Sequence, residues 1–575
     1  MKSVRPVLPN VVFLILRRLR IPLIILIFAY AVSITGFVLI PGTRADGTVW
    51  TMSFFHAFYF VSYMGSTIGF GELPYPFNGA QRFWTLFSIY ATVVAWLYAI
   101  GTMISLLQDR FFRQALYRTR VHRQIYKIRE DFYLLCGHGE AGKVVTRFLS
   151  EIGEQTVVID RDFEAINEMW IDDYPLEPLV LEGDAADPVQ LQNAGLTHDN
   201  CKGVIAVIGD DQENLKIAIS AKLLNPGLKV VGRVNEEDTA SNMRSFGTDH
   251  IVNPFKTFAW HFSLAFSSPG HHLLNDWLSQ TDYQALNDPV FPPRGQWIIC
   301  GFGRFGKPLY RRLKHQNNEV TVIEIESEIA NAPEGSICGR GTEAVTLNEA
   351  KVESAVGIIA GTDNDANNLS IIMTAKELNP DLFTVARQNH NRNASLFEAA
   401  DMNIVFNQNL LIANQVVSLL TTPLTSEFLR LANKQNAQWA NEMVSRICAI
   451  VDDNAPVIWV LEMTDDGAPA FIQARLEGFD FRLGQLVREP YNRKVRLSCV
   501  PLMLQRHGEN QLSPSDDKML YHGDRILFCG KRSARVKMMS SVSSNELLSY
   551  LITGRHRVVS PLWRKFFGSK LQEGE

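Results

Sequence analysis

Two stretches without a single charged residue, Ile21 to Ile40 and Phe83 to Leu107, lie within the first 110 of 575 residues. Each is long enough to cross a bilayer as a helix, which takes about 20 residues. A hydrocarbon layer leaves backbone amides no water to bond, so only helices or closed barrels span it. Basic residues then set the orientation. Lys2, Arg5, Arg17, Arg18 and Arg20 precede the first stretch, and Arg110, Arg113, Arg118, Arg120 and Arg123 follow the second; only Arg44 and Arg82 lie between. Positive residues stay on the cytoplasmic side, so both termini are expected inside and residues 41–82 outside. Residues 10–20 are expected as a short amphipathic helix at the inner surface.

The connection carries the chemistry. An aromatic run from Ser53 to Ser62 is long enough for a half-membrane helix, and Ser66-Thr67-Ile68-Gly69-Phe70-Gly71-Glu72 follows it, then Pro74 and Pro76. Irregular backbone at membrane depth is tolerated where it lines a water-filled path. Gly69 and Gly71 permit backbone conformations closed to other residues, so successive carbonyls can face one axis. Four such loops round an axis make rings of oxygens that replace the hydration shell of potassium.

Residues 67–71 resemble the potassium-channel signature TVGYG, with Ile68 for Val and Phe70 for Tyr; Glu72 stands where that family usually has Asp. The resemblance implies a selectivity filter of Thr67, Ile68, Gly69, Phe70 and Gly71, with K+ at its carbonyls and one loop per chain, hence four chains per pore. Gly101, in the inner half of the second span, is read either as a gating hinge or as a small residue for close helix packing.

Beyond the spans the chain repeats itself. Leu134-Leu135-Cys136-Gly137-His138-Gly139-Glu140-Ala141-Gly142 has a counterpart 164 positions on, from Ile298 to Gly306. A second strand follows in each copy, and its acid, Asp160 or Glu324, lies 18 positions after the last glycine of the motif. The match continues at an offset of 154: Asn214 with Asn368, Arg233 with Arg387, Asn253 with Asn407. A strand, GxGxxG, a helix and an acid at that distance describe a Rossmann-like α/β unit for a dinucleotide. The free N–H groups at the helix start suit a pyrophosphate, and the acid suits ribose hydroxyls, favouring NAD or an adenine nucleotide over NADP.

These units resemble RCK domains, regulators of potassium conductance related to the Trk uptake subunits. Gly183-Asp184-Ala185-Ala186-Asp187 is similar to that family's GDATD segment, and the helix pairs after Asn253 and Asn407, broken at Pro269 and Pro423, resemble its helix-turn-helix. The resemblance implies a first nucleotide site of Gly137, His138, Gly139, Glu140, Gly142, Asp160, Arg161, Asp184 and Ala185. It implies a second of Gly301, Gly303, Arg304, Gly306, Glu324 and Arg340. In that copy GDATD becomes Gly339-Arg340-Gly341-Thr342, so either Arg340 meets a phosphate or the site is vestigial.

Residues 440–535 read as short strands ending in Gly523-Asp524-Arg525, similar to the β-rich lobe of RCK and Trk regulators; 536–575, with Arg555, Arg557, Trp563, Arg564 and Lys565, read as a tail near lipid or unstructured. The expected division is therefore a two-span pore domain (1–110), a linker (111–130), a first RCK domain (131–290), a second (291–435), a β-rich lobe (436–535) and a tail (536–575). Seven scattered cysteines without a CxxC pair argue against a disulfide framework or zinc site, and a net charge of −4 gives no sign of a nucleic-acid partner. The expected function is a homotetrameric, potassium-selective channel of the plasma (inner) membrane. Eight RCK units form its cytoplasmic gating ring, gated by NAD, ADP or another adenine nucleotide, with divalent cations an open alternative. An enzyme is not expected, because no acid–base pair stands by the glycine loops. The alternatives are a membrane-anchored NAD-binding oxidoreductase and the regulatory subunit of a potassium transporter.

Overall fold

The computed structural model describes residues 11–555 except 45, 73–74, 110–116, 118–119, 280–289, 327, 329 and 452–454. Lys2, Arg5, Pro74, Arg110, Arg113, Arg118 and the tail residues Arg557, Trp563, Arg564 and Lys565 lie outside these. The chain divides into two compact units, Met1–Ile128 and Arg129–Glu575.

The first unit is built from the helices Val11–Leu39, Phe54–Gly65 and Gly79–Gln108. Two of them are long and apolar enough to cross a membrane, over Arg17–Leu39 and Gly79–Gln108. The expected separate surface helix at 10–20 is absent as such: one helix runs through it, with Pro22 inside. The uninterrupted apolar run that follows gives the chain no reason to turn. The long helices meet closely where Gly36 faces Trp84; a Cβ on Gly36 would lie 2.0 Å from the indole, whose Nε1 donates to the Ser33 carbonyl at 3.0 Å. Ser53 caps the short helix and Asn78 the second span, the latter through a reciprocal pair with Gln81, each satisfying N–H groups a helix start leaves free.

The second unit holds two six-stranded sheets, parallel throughout. The first has the spatial order Leu179–Glu182, Gln155–Asp160, Phe132–Cys136, Cys201–Ala206, Lys229–Arg233, His250–Val252. The second repeats that order with Ile337–Cys338, Glu319–Glu324, Gln296–Cys300, Gly357–Ala360, Phe383–Gln388, Ile404–Asn407. In both, the strand after the glycine motif and the one after the crossover leave the motif strand on opposite sides. That reversal opens a crevice at the carboxyl ends.

The copies exchange helices. Phe255, Ala259 and Phe262 of the helix Pro254–Ser267 bury themselves among Trp297, Ile299 and Ile359 of the second sheet. Ile412, Ala413 and Val416 of Gln408–Thr421 do the same among Leu135, Val158 and Ile205 of the first. The helices Pro269–Ser279, Pro423–Ala432 and Ala437–Cys448 then pack on a four-stranded antiparallel sheet, Val457–Glu462, Arg525–Gly530, Cys499–Arg506 and Glu509–Leu512. This lobe continues past residue 535: the helices Arg532–Ser543 and Asn545–Thr553 bury Met538, Val542 and Leu548 in its core.

Gly142 lets its helix approach the strand end; a Cβ there would stand 2.1 Å from the Gly137 carbonyl oxygen, whereas one on Gly139 would meet nothing within 4 Å. Gly142→Ala should therefore cost about 1–3 kcal/mol, seen as a lowered melting temperature, while Gly139→Ala should leave it nearly unchanged.

Candidate functional site: a looped segment and a shared cleft

Two places concentrate unusual backbone. The first follows the helix Phe54–Gly65. Thr67, Gly69 and Gly71 have φ of 63°, 64° and 74°, so every second residue is left-handed. The amides of Ile68 and Gly69 both donate to the Tyr63 carbonyl, at 3.0 and 3.3 Å, and that of Thr67 to Met64 at 3.1 Å. Ile68 and Phe70 stay exposed, at 62% and 67%. Gly101 lies inside the unbroken helix Gly79–Gln108, and a Cβ would meet nothing within 4 Å; close packing within the chain is not what requires glycine there.

The second is the crevice of the first sheet. Gly137 turns at φ 98°, where a Cβ would press on Ile208 at 2.8 Å, and Gly139 starts the helix Glu140–Glu151 with no side-chain cap. The uncapped amides are left to a ligand. Asp160 accepts from the His138 amide and, at 2.7 Å, from the Asp162 amide; Asp184 accepts from Ala186 at 2.8 Å. These acids border a cavity of about 490 Å3, and Gly137, Gly139, Glu140, Arg161 and Ala185 line it too. Arg161 is held by Glu213 at 2.7 Å. His138 points the other way. Its ring is fully buried, Nδ1 lies 3.4 Å from Thr146 Oγ1, and Nε2 has no hydrogen-bond partner. Burial pushes its pKa down to about 4, against the pull of Asp160.

The far wall of the cavity comes from the second copy: Asp363, Arg387, Asn389, His390, Gln408 and Asn409. The two walls touch where Glu140 accepts from the Asn391 amide at 3.3 Å. Arg387, 6% exposed, and Arg233 each bury a guanidinium Nε with no partner. Burial lowers both pKa values, that of Arg387 to about 10, and Arg304 adds repulsion to each. Three arginines from two sheets thus converge without matching carboxylates, a place that favours an anion. Sequence reading placed Arg304 in the second site and gave Arg233 and Arg387 no role. Their signal was present: the repeat keeps an arginine at the end of the same apolar strand.

In the second crevice Gly301 and Gly306 repeat the turn, with φ 96° at Gly301 and a Gly306 Cβ position 2.0 Å from the Gly301 oxygen; Gly303 is open. Glu324 accepts from the amides of Phe302, at 2.5 Å, and Ile325, at 2.9 Å. Arg340 is exposed where the first copy has Asp184, and beside it a Gly341 Cβ would lie 2.6 Å from Cys300 Sγ.

Such a fold defines a class: a helical segment of spanning length followed by two nucleotide-type α/β domains. The TrkA-N domain family matches residues 133–254 and 297–408, so the chain carries two TrkA-N domains in tandem. It is 31% identical over 209 residues to "Potassium channel protein 1" of Methanocaldococcus jannaschii, covering 36% of this chain and 61% of that one. It is 24% identical over 202 residues to the "Voltage-gated potassium channel Kch" of Escherichia coli, covering 34% and 46%. The chain thus spans about three fifths or less of the length of these curated relatives. A solved structure, "GsuK channel bound to NAD", aligns over 93% of this chain and 100% of its own at 14% identity, with a TM-score of 0.45.

Unfolded His138 takes a proton near pH 6.5 and folded His138 only near 4. Below 6.5 the unfolded state binds more protons, so stability falls as pH drops toward 4, by at most about 3 kcal/mol. His138→Gln should flatten that part of a melting-temperature profile against pH.

Proposed function

We propose that this chain is the subunit of a homotetrameric, potassium-selective channel in the plasma (inner) membrane, gated by a nucleotide at its TrkA-N domains. One observation carries the reading: the left-handed alternation at Thr67, Gly69 and Gly71, straight after a short helix and between two helices of spanning length. Alternating handedness brings successive carbonyls to one side of a chain, and four such segments form rings of oxygen that strip and replace the hydration shell of K+. Relatives whose names are those of potassium channels support it.

The regulatory half rests on the cleft. A nucleotide lying on the Gly139 loop, with its ribose at Asp160 and its phosphates toward Arg233, Arg387 and Arg304, touches both copies at once. NAD or ADP fits the acid at 160. Because walls from both copies hold it, the ligand binds differently to different arrangements of the pair, and only such a difference shifts a conformational equilibrium. Four chains bring eight such domains into one cytoplasmic ring, the termini lie on the same side, and the linker 111–130 passes the change to the pore, with Gly101 as its hinge.

Reconstitution in planar bilayers, with potassium on one side and sodium on the other, should give a reversal potential near the potassium equilibrium value; one near zero sinks the pore reading. NAD or ADP on the cytoplasmic face should change open probability, and Gly139→Asp, which sets a carboxylate where a phosphate must lie, should remove the response. Equal responses in both proteins dispose of the nucleotide reading and leave the pore untouched.

A further inference from the structure

Tyr63 touches the looped segment along nearly its whole length. Its carbonyl accepts the amides of Ile68 and Gly69 and, at 3.3 Å, the Ser66 hydroxyl. Its ring meets Phe70 edge-on, with centroids 6.2 Å apart and planes at 78°. Its hydroxyl donates to the Glu72 carbonyl at 2.8 Å. The side chain is 6% exposed, packed against Phe60 at 5.3 Å. One helical turn earlier, on the same face, the Tyr59 hydroxyl donates to the Glu72 carboxylate at 3.1 Å, and its ring lies edge-on to Tyr63 at 5.3 Å. Glu72 is therefore held twice, by its backbone oxygen and by its side chain.

That grip answers a need. Glycine populates left- and right-handed backbone about equally, so Gly69 and Gly71 do not by themselves keep the alternation in register. Phe70, having no hydroxyl, anchors the segment only by packing. The hydrogen bonds come from the helix instead, past the Phe70 ring to the residue just beyond Gly71. Fixing the Glu72 carbonyl pins the peptide unit that follows it, and fixing the carboxylate limits rotation of the residue. The longer arm of glutamate spans the gap to Tyr59.

We propose that Tyr63 and Tyr59 are positioning residues that hold the outer end of the conducting loop in its open register through Glu72. The proposal rests on residues 66–72 being the selectivity filter. Tyr63 acts on the backbone and Tyr59 on the carboxylate, so their contributions separate. Loss of either hydroxyl frees the outer peptide units to turn over, and the loop leaves its conducting form sooner when little potassium occupies it.

The full-length channel in bilayers tests this. Tyr63→Phe, which keeps the ring, should shorten the conducting lifetime in low external potassium about five-fold, the value of one net hydrogen bond, and lower the potassium-to-sodium permeability ratio. Tyr59→Phe should act in the same direction. In a Glu72→Ala background Tyr59→Phe should have no further effect, whereas Tyr63→Phe should keep its own. A wild-type channel that does not select potassium overturns the filter reading and the brace with it. A selective wild type with unaltered Tyr63→Phe, or a Tyr59→Phe effect undiminished by Glu72→Ala, overturns the brace alone. Should the buried Tyr63→Phe yield no channel, the cycle at Tyr59 and Glu72, both solvent-accessible, decides the question by itself.

Discussion

The reciprocal burial of two helices is the contact on which the second unit depends. Without Phe255, Phe262 and Phe266 the second sheet would expose Trp297, which is fully buried beneath them with its ring 5.6 Å from Phe262 and 5.9 Å from Phe266. Without Ile412 and Val416 the first sheet would expose Leu135 and Val158. Burying such side chains is worth roughly 1.5–3 kcal/mol each, so the exchange outweighs the electrostatic cost it imposes. That cost is the gathering of Arg233, Arg387 and Arg304 across the seam. Apolar contacts fix the seam, and the seam fixes the cleft.

The crevices are copies in backbone and opposites in charge. The first loop offers Glu140 where the second has Arg304, and the first strand-end turn offers Asp184 where the second has Arg340. Each acid of the second strand is already engaged by the amide two residues after its own motif strand ends, Asp160 by His138 and Glu324 by Phe302. The loops are thus held closed on themselves by the carboxylate a ribose would share. Gly341, packed against Cys300, leaves the second turn less room than Ala185 leaves the first.

Much of this was legible in the residues. A glycine at 137, 142, 301 or 306 is dictated by a turn or by the carbonyl it must clear, and local rules of that kind survive folding. The alternation at 67–71 was legible too, because only glycine repeats in such a pattern, although left-handed Thr67 was not. What escaped is what distance in sequence conceals. His138 sits inside a ligand motif, yet its side chain turns into the core, since alternate loop positions face opposite ways. The Asp363–His390 wall of the first cleft lies some 200 residues from the Gly137 loop and follows from helix exchange alone. The helices after residue 531 were read as tail because their apolar positions, Met538, Val542 and Leu548, are few and their hydroxyl content is high.

The exchange also imposes a timetable. The last strand of the first sheet ends at Val252, but the helix that covers its apolar face ends at Thr421. A ribosome adding ~5–20 residues per second leaves that face waiting roughly ten to thirty seconds. During synthesis the first domain must be shielded, by a neighbour or by a chaperone, before the chain can supply its own cover.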